Sequence, residues 1–136
     1  AVDMDLIADY NINVIEIKMD DSEKVIEGGN KAKRFMTTEK KHYAYLDSMA
    51  RMAIFQHRKD ATFRILARMR AVYNSLSKEK VAKYLIENLE GRKLIFAGGI
   101  DQAERLSPNT YHSKTTNEDL QAFLKEETPP INCSTA

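Results

Sequence analysis

The sequence predicts an α/β fold in which helices flank a parallel sheet. Two observations favour this class. The last third of the chain alternates strand-like and helix-like segments, and the middle third repeats apolar residues at helical spacing. Strand–helix–strand–helix–strand order is typical of a parallel sheet, because each crossover helix brings the chain back to the end of the sheet where the previous strand began. We therefore expect one domain over residues 11–136, with a strand and hairpin first, a helical segment over 38–90 and the sheet over 91–136.

The composition excludes several classes of protein. The chain has 136 residues, which is enough for one domain with a core of its own. Its 21 basic and 20 acidic residues nearly balance, so net charge alone indicates no polyanionic partner. One cysteine, Cys133, cannot form an internal disulfide, and no apolar run is long enough to span a membrane. We expect a cytoplasmic protein with no membrane partner.

The first 36 residues predict a lead-in, a strand and a hairpin. Residues 1–10 are mixed and read as a linker. Residues 11–19 contain Ile12, Val14, Ile15 and Ile17, whose β-branched side chains favour a strand. Residues 27–30 (Glu-Gly-Gly-Asn) form a turn signal between strand-like residues 23–26 and 31–36, because glycine adopts positive φ at little steric cost.

Three helices follow over residues 38–90. Thr38 is a good N-cap for the first, with apolar residues three and four apart after it. Asp60 is expected to cap the second helix and Ser77 the third. Gly91 is placed to end the third helix at its C′ position.

The last third begins with an apolar strand that enters Gly98 and Gly99, which open a short helix. A strand over 110–113 follows. Residues 116–119 (Thr-Asn-Glu-Asp) resemble a capping box at the start of the next helix, with aspartate in place of glutamate. Pro129 and Pro130 end that helix before a strand over 131–135. The chain then stops with no obvious end to the fold, which suggests part of a larger protein.

Two turns at the ends of strands are candidate phosphate sites. Gly98 and Gly99 could present backbone N–H groups to an anion, although a tight strand-to-helix turn is the simpler explanation of these residues alone. The segment lacks the third glycine of a dinucleotide fingerprint, and no phosphate loop is present. Ser113, Lys114 and Thr115 follow the next strand. Ligands of open parallel sheets bind at the carboxyl ends of strands, so these side chains suit a nucleic-acid or nucleotide phosphate.

The arginines of the helical segment are a second candidate surface. Arg64 and Arg68 lie four residues apart and could grip successive phosphates, or could belong to a solvated face with acidic neighbours. The histidines and Cys133 share no metal-ligand spacing. No carboxylates are placed to converge as catalytic pairs. We expect no metal site and no catalytic residues in this chain.

A family resemblance comes from the order of five short motifs. These are residues 94–96 (Leu-Ile-Phe), 102–106 (Gln-Ala-Glu-Arg-Leu), 111–113 (Tyr-His-Ser), 120–123 (Leu-Gln-Ala-Phe) and 131–135 (Ile-Asn-Cys-Ser-Thr). In this order they resemble the second RecA-like domain of superfamily 2 helicases, and are most similar to the DEAD/DEAH-like enzymes of phages and prophages. Residues 9–17 resemble the crossing from the first RecA-like domain. The resemblance is specific over about 78–135 and poor in the helical middle.

The resemblance implies a partial RecA-like parallel sheet and a role in ATP-dependent helicase action. The first RecA-like domain, motif V and the arginine-finger motif are not in this chain, so ATP and Mg²⁺ would bind the parent enzyme and the chain alone would not hydrolyse ATP. By position, Gly98, Gly99, Ser113, Lys114 and Thr115 would contact the backbone of a single strand. Further partners would be the first RecA-like domain and a second copy, paired through an open sheet edge.

Two alternatives remain open. A small non-enzymatic α/β module could bind a protein partner through its helical middle. A small-molecule nucleotide-binding domain is disfavoured, because the glycine fingerprint and the phosphate loop are absent. The sequence does not decide between DNA and RNA, and it gives no translocation polarity.

Overall fold

A computed structural model describes residues 8–125 and 131–134, with residue 123 and residues 131–134 described by their backbone alone. The elements run in the order β1 (Lys24–Gly29), β2 (Arg34–Thr38), α1 (Glu39–Phe55), α2 (Ala61–Tyr73), α3 (Leu76–Asn88), β3 (Leu94–Ala97), α4 (Ile100–Leu106), β4 (Thr110–Tyr111), α5 (Asn117–Lys125) and β5 (Ile131–Ser134). The fold is therefore mixed α/β. The predicted succession of hairpin, helices and alternating strands is confirmed in this order.

The antiparallel hairpin of β1 and β2 lies slightly later in the sequence than its turn signal suggests. Gly28 pairs with Phe35 and Gly29 with Arg34, and the reversal itself is residues 30–33. The glycines end β1 rather than forming the turn. Gly29 has a φ of 101°, and a Cβ there would lie 2.1 Å from the Lys33 carbonyl oxygen, so only glycine fits.

The predicted strand over residues 11–19 is wrong. Residues 8–20 form no helix or strand, and Ile12 and Val14 are 79% and 92% exposed. β-branched residues favour a strand only where a neighbouring strand supplies hydrogen-bond partners, and none of the described strands pairs with this segment. The C-terminal end of this segment is bonded to α1, where the Asp20 carbonyl accepts the Lys40 N–H at 3.0 Å.

The three central helices match their predicted positions but not all of their predicted caps. Thr38 accepts the Lys41 N–H and caps α1 as expected. Asp60 stands at the N-cap of α2 without a side-chain cap bond, because Arg58 and Arg64 bind its carboxylate. Ser75, not Ser77, caps α3.

The expected end of α3 at Gly91 is also corrected. The helix ends at Asn88 with Leu89 as its C-cap, and Gly91, with a φ of 82°, lies two residues beyond that cap. Its left-handed backbone belongs to the turn into β3. At the start of α5, Thr116 and Asp119 form the predicted capping box: the Asp119 N–H donates to Thr116 Oγ1 at 3.2 Å, and the Thr116 N–H donates to Asp119 Oδ2 at 3.4 Å.

The C-terminal sheet has three parallel strands in the order β3-β5-β4. The chain therefore places its last strand in the centre. The final strand prediction over 131–135 is confirmed over Ile131–Ser134, whereas Pro129 and Pro130 lie outside the described residues.

One face of β3 is covered and the other is open. Ile95 and Ala97 point inward, and Ala97 is 6% exposed, whereas Leu94 and Phe96 are 58% and 69% exposed. Side chains alternate between the two faces of a strand, so a parallel strand needs cover on both sides. Helices of the described part cover one side of β3.

Candidate nucleic-acid interface

The two turns singled out in the sequence lie at one edge of the parallel sheet. β3 ends at Ala97, opposite Ser134 of β5, and β4 ends at Tyr111, opposite Cys133. Because all three strands are parallel, the turns that follow β3 and β4 emerge at the same edge. β5 separates them, which corresponds to two strand spacings, or about 10 Å.

The glycine turn after β3 is already bonded within the protein. The Gly98 N–H donates to Gln102 Oε1 at 3.0 Å, and Gln102 Nε2 donates to the Tyr73 carbonyl oxygen at 3.1 Å. A Cβ on Gly98 would lie 3.0 Å from the Cβ of Tyr73, so the close approach of α2 favours glycine. The tight-turn interpretation of Gly98 therefore has direct support.

Gly99 differs from its neighbour. It is the N-cap of α4 and has an extended backbone, with a φ of −166° that any residue adopts. Its carbonyl accepts the Ala103 N–H at 3.0 Å, and Gly99 itself has no side chain that could cap this end of the helix. Of the two backbone N–H groups predicted to bind an anion, that of Gly98 already donates to Gln102. The other belongs to Gly99, which stands at the N-terminus of α4.

The turn after β4 is held by Thr115. Its hydroxyl accepts the His112 N–H at 3.1 Å and donates to the Thr110 carbonyl at 3.1 Å, while its own N–H donates to the His112 carbonyl at 2.9 Å. Thr115 therefore shapes the turn, and the hydrogen of its hydroxyl is committed to the Thr110 carbonyl. Ser113 and Lys114 are exposed at the outside of the turn.

His112 fixes the Lys114 backbone and reaches the neighbouring helix. Its Nδ1 accepts the Lys114 N–H at 3.2 Å, which places the proton of the neutral ring on Nε2. Nε2 lies 3.5 Å from Glu104 Oε1 of α4. The Lys114 ammonium has no carboxylate partner among the described residues, so it remains available to an external anion.

The two candidate arginines of α2 each bind a carboxylate. Arg64 Nε lies 3.1 Å from Asp60 Oδ2, and the Arg68 guanidinium lies 2.8 Å from Asp47 Oδ1, with Arg51 on the other oxygen of Asp47 at 2.7 Å. Hydrogen bonds from these arginines lower the pKa of both aspartates. The structure brings Arg64 and Arg68 to the acidic side chains of α1 and its following loop.

Three buried polar residues escaped the sequence interpretation. Gln102 is 6% exposed and occupies the N3 position of α4, where a glutamine characteristically reaches back to an N–H before the helix. The N3 position of Gln102 in the sequence therefore could have predicted this bond. Glu79, 5% exposed, holds Arg105 through two bonds of 2.9 Å between α3 and α4. No spacing rule indicates a pair 26 residues apart.

Glu39 is the third of these buried residues. One carboxylate oxygen accepts the Ser77 hydroxyl and the Asp20 N–H, which ties the lead-in segment to α1 and α3. Burial acts to raise the pKa of this carboxyl, but the hydroxyls of Ser75 and Ser77 and the Asp20 N–H outweigh it and hold the pKa below its usual value.

Within the described ranges, no three His, Cys, Asp or Glu side chains are grouped so that they could hold a metal ion. In the same ranges, no helix is both long and apolar enough to cross a membrane. In comparisons with known proteins, no family model, no curated protein and no solved structure matches this chain.

Proposed function

We propose that this chain is part of the second motor domain of an ATP-dependent superfamily 2 helicase, in which it holds the backbone of a single nucleic-acid strand. The observation that carries the proposal is the arrangement of the family-like motifs. Residues 94–96 lie in a strand, residues 102–106 lie in the helix after it, and the 111–113 motif begins at the last residue of the next strand. The strands are parallel, and both candidate turns emerge at one edge.

The chemistry of that edge supports a backbone contact. Lys114 offers a free ammonium, Ser113 an exposed hydroxyl and Gly99 the open start of α4. Groups of this kind bind phosphate oxygens without reading bases, so binding would be independent of sequence and weakened by salt. Thr115 and Gly98 would support the turns rather than contact the strand.

The rest of the enzyme would supply what this chain lacks. ATP and Mg²⁺ would lie between this domain and the first RecA-like domain, so the chain alone would not hydrolyse ATP. The open face of β3, with exposed Leu94 and Phe96, is suited to further elements of a RecA-like sheet. Among the described strands, β3 and β4 each have one edge without a partner, and these edges would also allow two isolated copies to pair.

Fluorescence anisotropy with a single-stranded oligonucleotide over a salt series tests the proposal. We expect weak binding that falls steeply with salt, and Lys114→Ala to reduce the slope of log K against log salt by about 0.7, the value for one phosphate on a single strand. Lys59→Ala removes an exposed lysine from the loop between α1 and α2 and is the matched control. Absence of binding even at low salt would contradict the proposal.

A protein-interaction module is the second candidate, and one observation favours it. Large apolar side chains stand exposed on the first two helices: Phe55 is 86% exposed, Phe63 65% and Tyr45 59%. Such surfaces mark contact sites when they are contiguous. Sedimentation at rising concentration, combined with the anisotropy assay, distinguishes the two candidates. A monomer that binds the oligonucleotide favours the helicase assignment. Self-association that Phe55→Ser and Phe63→Ser abolish, without strand binding, favours the module.

A further inference from the structure

The β1–β2 hairpin ends in a turn with one well-defined shape. The Asn30 N–H donates to the Lys33 carbonyl at 3.0 Å, and the Lys33 N–H donates back at 3.2 Å. Asn30 Oδ1 also accepts the N–H groups of Ala32 and Lys33 at 3.0 and 2.9 Å. Together with the left-handed Gly29, these bonds fix the positions from which Lys31 and Lys33 project.

This hairpin concentrates positive charge. Residues 24–36 contain four basic side chains and one acidic one, whereas the whole chain has a net charge of only +1. Arg34 is paired with Glu27 at 3.0 Å. The remaining three cations, Lys24, Lys31 and Lys33, are exposed and have no carboxylate partner among the described residues. A local field of one sign attracts a polyanion.

The same hairpin carries an exposed aromatic ring, Phe35, two residues after Lys33. Phe35 pairs with Gly28 across the hairpin, and its ring would lie 3.0 Å from a Cβ at Gly28, so it packs directly over the glycine backbone. The side chain nevertheless remains 54% exposed. The Cε2 and Cζ atoms of the ring thus lie against Gly28, while about half of the side chain remains open to solvent, and a stacking platform needs such an exposed ring.

We propose that residues 24–38, here called the hairpin arm, form a second contact for a single nucleic-acid strand: Lys31 and Lys33 bind phosphates, and Phe35 stacks on a base. This inference rests on the proposed function, which it extends beyond the sheet edge. Unpaired cations alone would suit an acidic protein equally well. The exposed ring on the same hairpin favours nucleic acid, because every base offers a π-face.

The charge part of the proposal is tested by the double variant Lys31→Ala/Lys33→Ala in the anisotropy assay. Removing two phosphate contacts should reduce the slope of log K against log salt by about 1.4. The control Lys59→Ala/Lys78→Ala removes the same charge from two exposed lysines elsewhere. Equal losses in both double variants, or an unchanged slope in the arm variant, would overturn the proposal.

The stacking part is tested with Phe35→Leu, which keeps an apolar side chain over Gly28. We expect about fivefold weaker binding of a normal oligonucleotide and unchanged binding of an abasic strand of equal length. Thermal unfolding of the variant checks that the hairpin is intact. Equal losses on both strands, or no loss on either, would remove the stacking role.

Two further results separate the arm from the sheet edge and from a protein partner. Binding that Lys114→Ala weakens but the arm variant leaves unchanged would overturn the arm and leave the proposed function standing. No binding by the unaltered chain would overturn both. In a competition assay, polyglutamate is added at the same concentration of charge as the oligonucleotide. If polyglutamate displaces the oligonucleotide, the hairpin arm is assigned to an acidic protein partner instead.

Discussion

The cations on the helices and the cations at the turns behave differently in this molecule. The helix arginines Arg64, Arg68 and Arg105 each bind a carboxylate within 3.1 Å. The turn lysines Lys31, Lys33 and Lys114 have no such partner among the described residues. Both groups carry the same charge, and the sequence alone made Arg64 and Arg68 a candidate phosphate surface.

The contrast teaches that a cation is available for binding only where the fold leaves it unpaired. An arginine bound to a carboxylate uses its hydrogen bonds to join two elements of the fold. The negative charge of the carboxylate also cancels most of the arginine's electric field at a distance. A lysine at the tip of a turn has neither restriction. We therefore expect the paired arginines to affect mainly stability, with a smaller effect on binding, and the unpaired lysines to affect mainly binding.

Arg105→Ala should give the largest effect on stability. It leaves the Glu79 carboxylate, whose side chain is 6% exposed, without both of its guanidinium bonds. Because Arg105 itself is 48% exposed and water can partly replace it, we expect a loss of about 1–2 kcal/mol in the free energy of unfolding. Urea denaturation measures this loss.

Arg51→Ala is the control for that measurement. The Arg51 side chain is 76% exposed, and its partner Asp47 keeps Arg68. Its midpoint in urea should match that of the unaltered chain. If Arg51→Ala and Arg105→Ala lower the free energy of unfolding by the same amount, pairing with a buried carboxylate does not explain the stabilising role of Arg105.

Asp47→Asn should convert paired arginines into available ones. The amide keeps the size of the side chain but loses the charge that holds Arg51 and Arg68. If α2 lies along the path of the strand, affinity for a single-stranded oligonucleotide at low salt should rise about threefold. Arg64→Ala/Arg68→Ala should weaken binding in the same assay. Unchanged affinity in both variants would place Arg64 and Arg68 outside the interface.

Asp20→Asn should give a small effect that depends on pH. The Ser22 hydroxyl and the N–H groups of Glu23 and Ser22 lower the pKa of Asp20 from 3.8 to about 2. The ionised form therefore stabilises the fold fully above pH 4, and this contribution disappears as the pH falls through about 2. The variant should be less stable than the unaltered chain at pH 6, and this difference should shrink as the pH falls and vanish below pH 2. A difference that does not change with pH would contradict this origin.

The sequence predicted those features that depend on neighbouring residues. Thr38 and Thr116 were recognised as caps because a cap needs only a hydroxyl three residues before the N–H that it accepts. The alternation of strands and helices after residue 91 was equally local. Ser77 was mistaken for a cap because Ser75, two residues earlier, satisfies the same local rule, and only the buried Glu39 explains where Ser77 points.

What the sequence missed depends on tertiary contacts. The pair Arg68–Asp47 spans 21 residues, and the bond from Gln102 to Tyr73 spans 29. Neither pair has a characteristic spacing. The false strand over 11–19 has the same origin: its residues favour extended backbone, but pairing requires a partner strand that no local pattern specifies.

The order of the parallel sheet has a consequence for synthesis of the chain on the ribosome. β3 and β4 both pair with β5 and not with each other, and β5 is made after them. The hairpin and α1–α3 contain mostly contacts between near neighbours and can form while translation continues. The sheet, by contrast, must wait until residues 131–134 leave the exit tunnel, so during that interval the nascent chain exposes two unpaired strands to chaperones and to other chains.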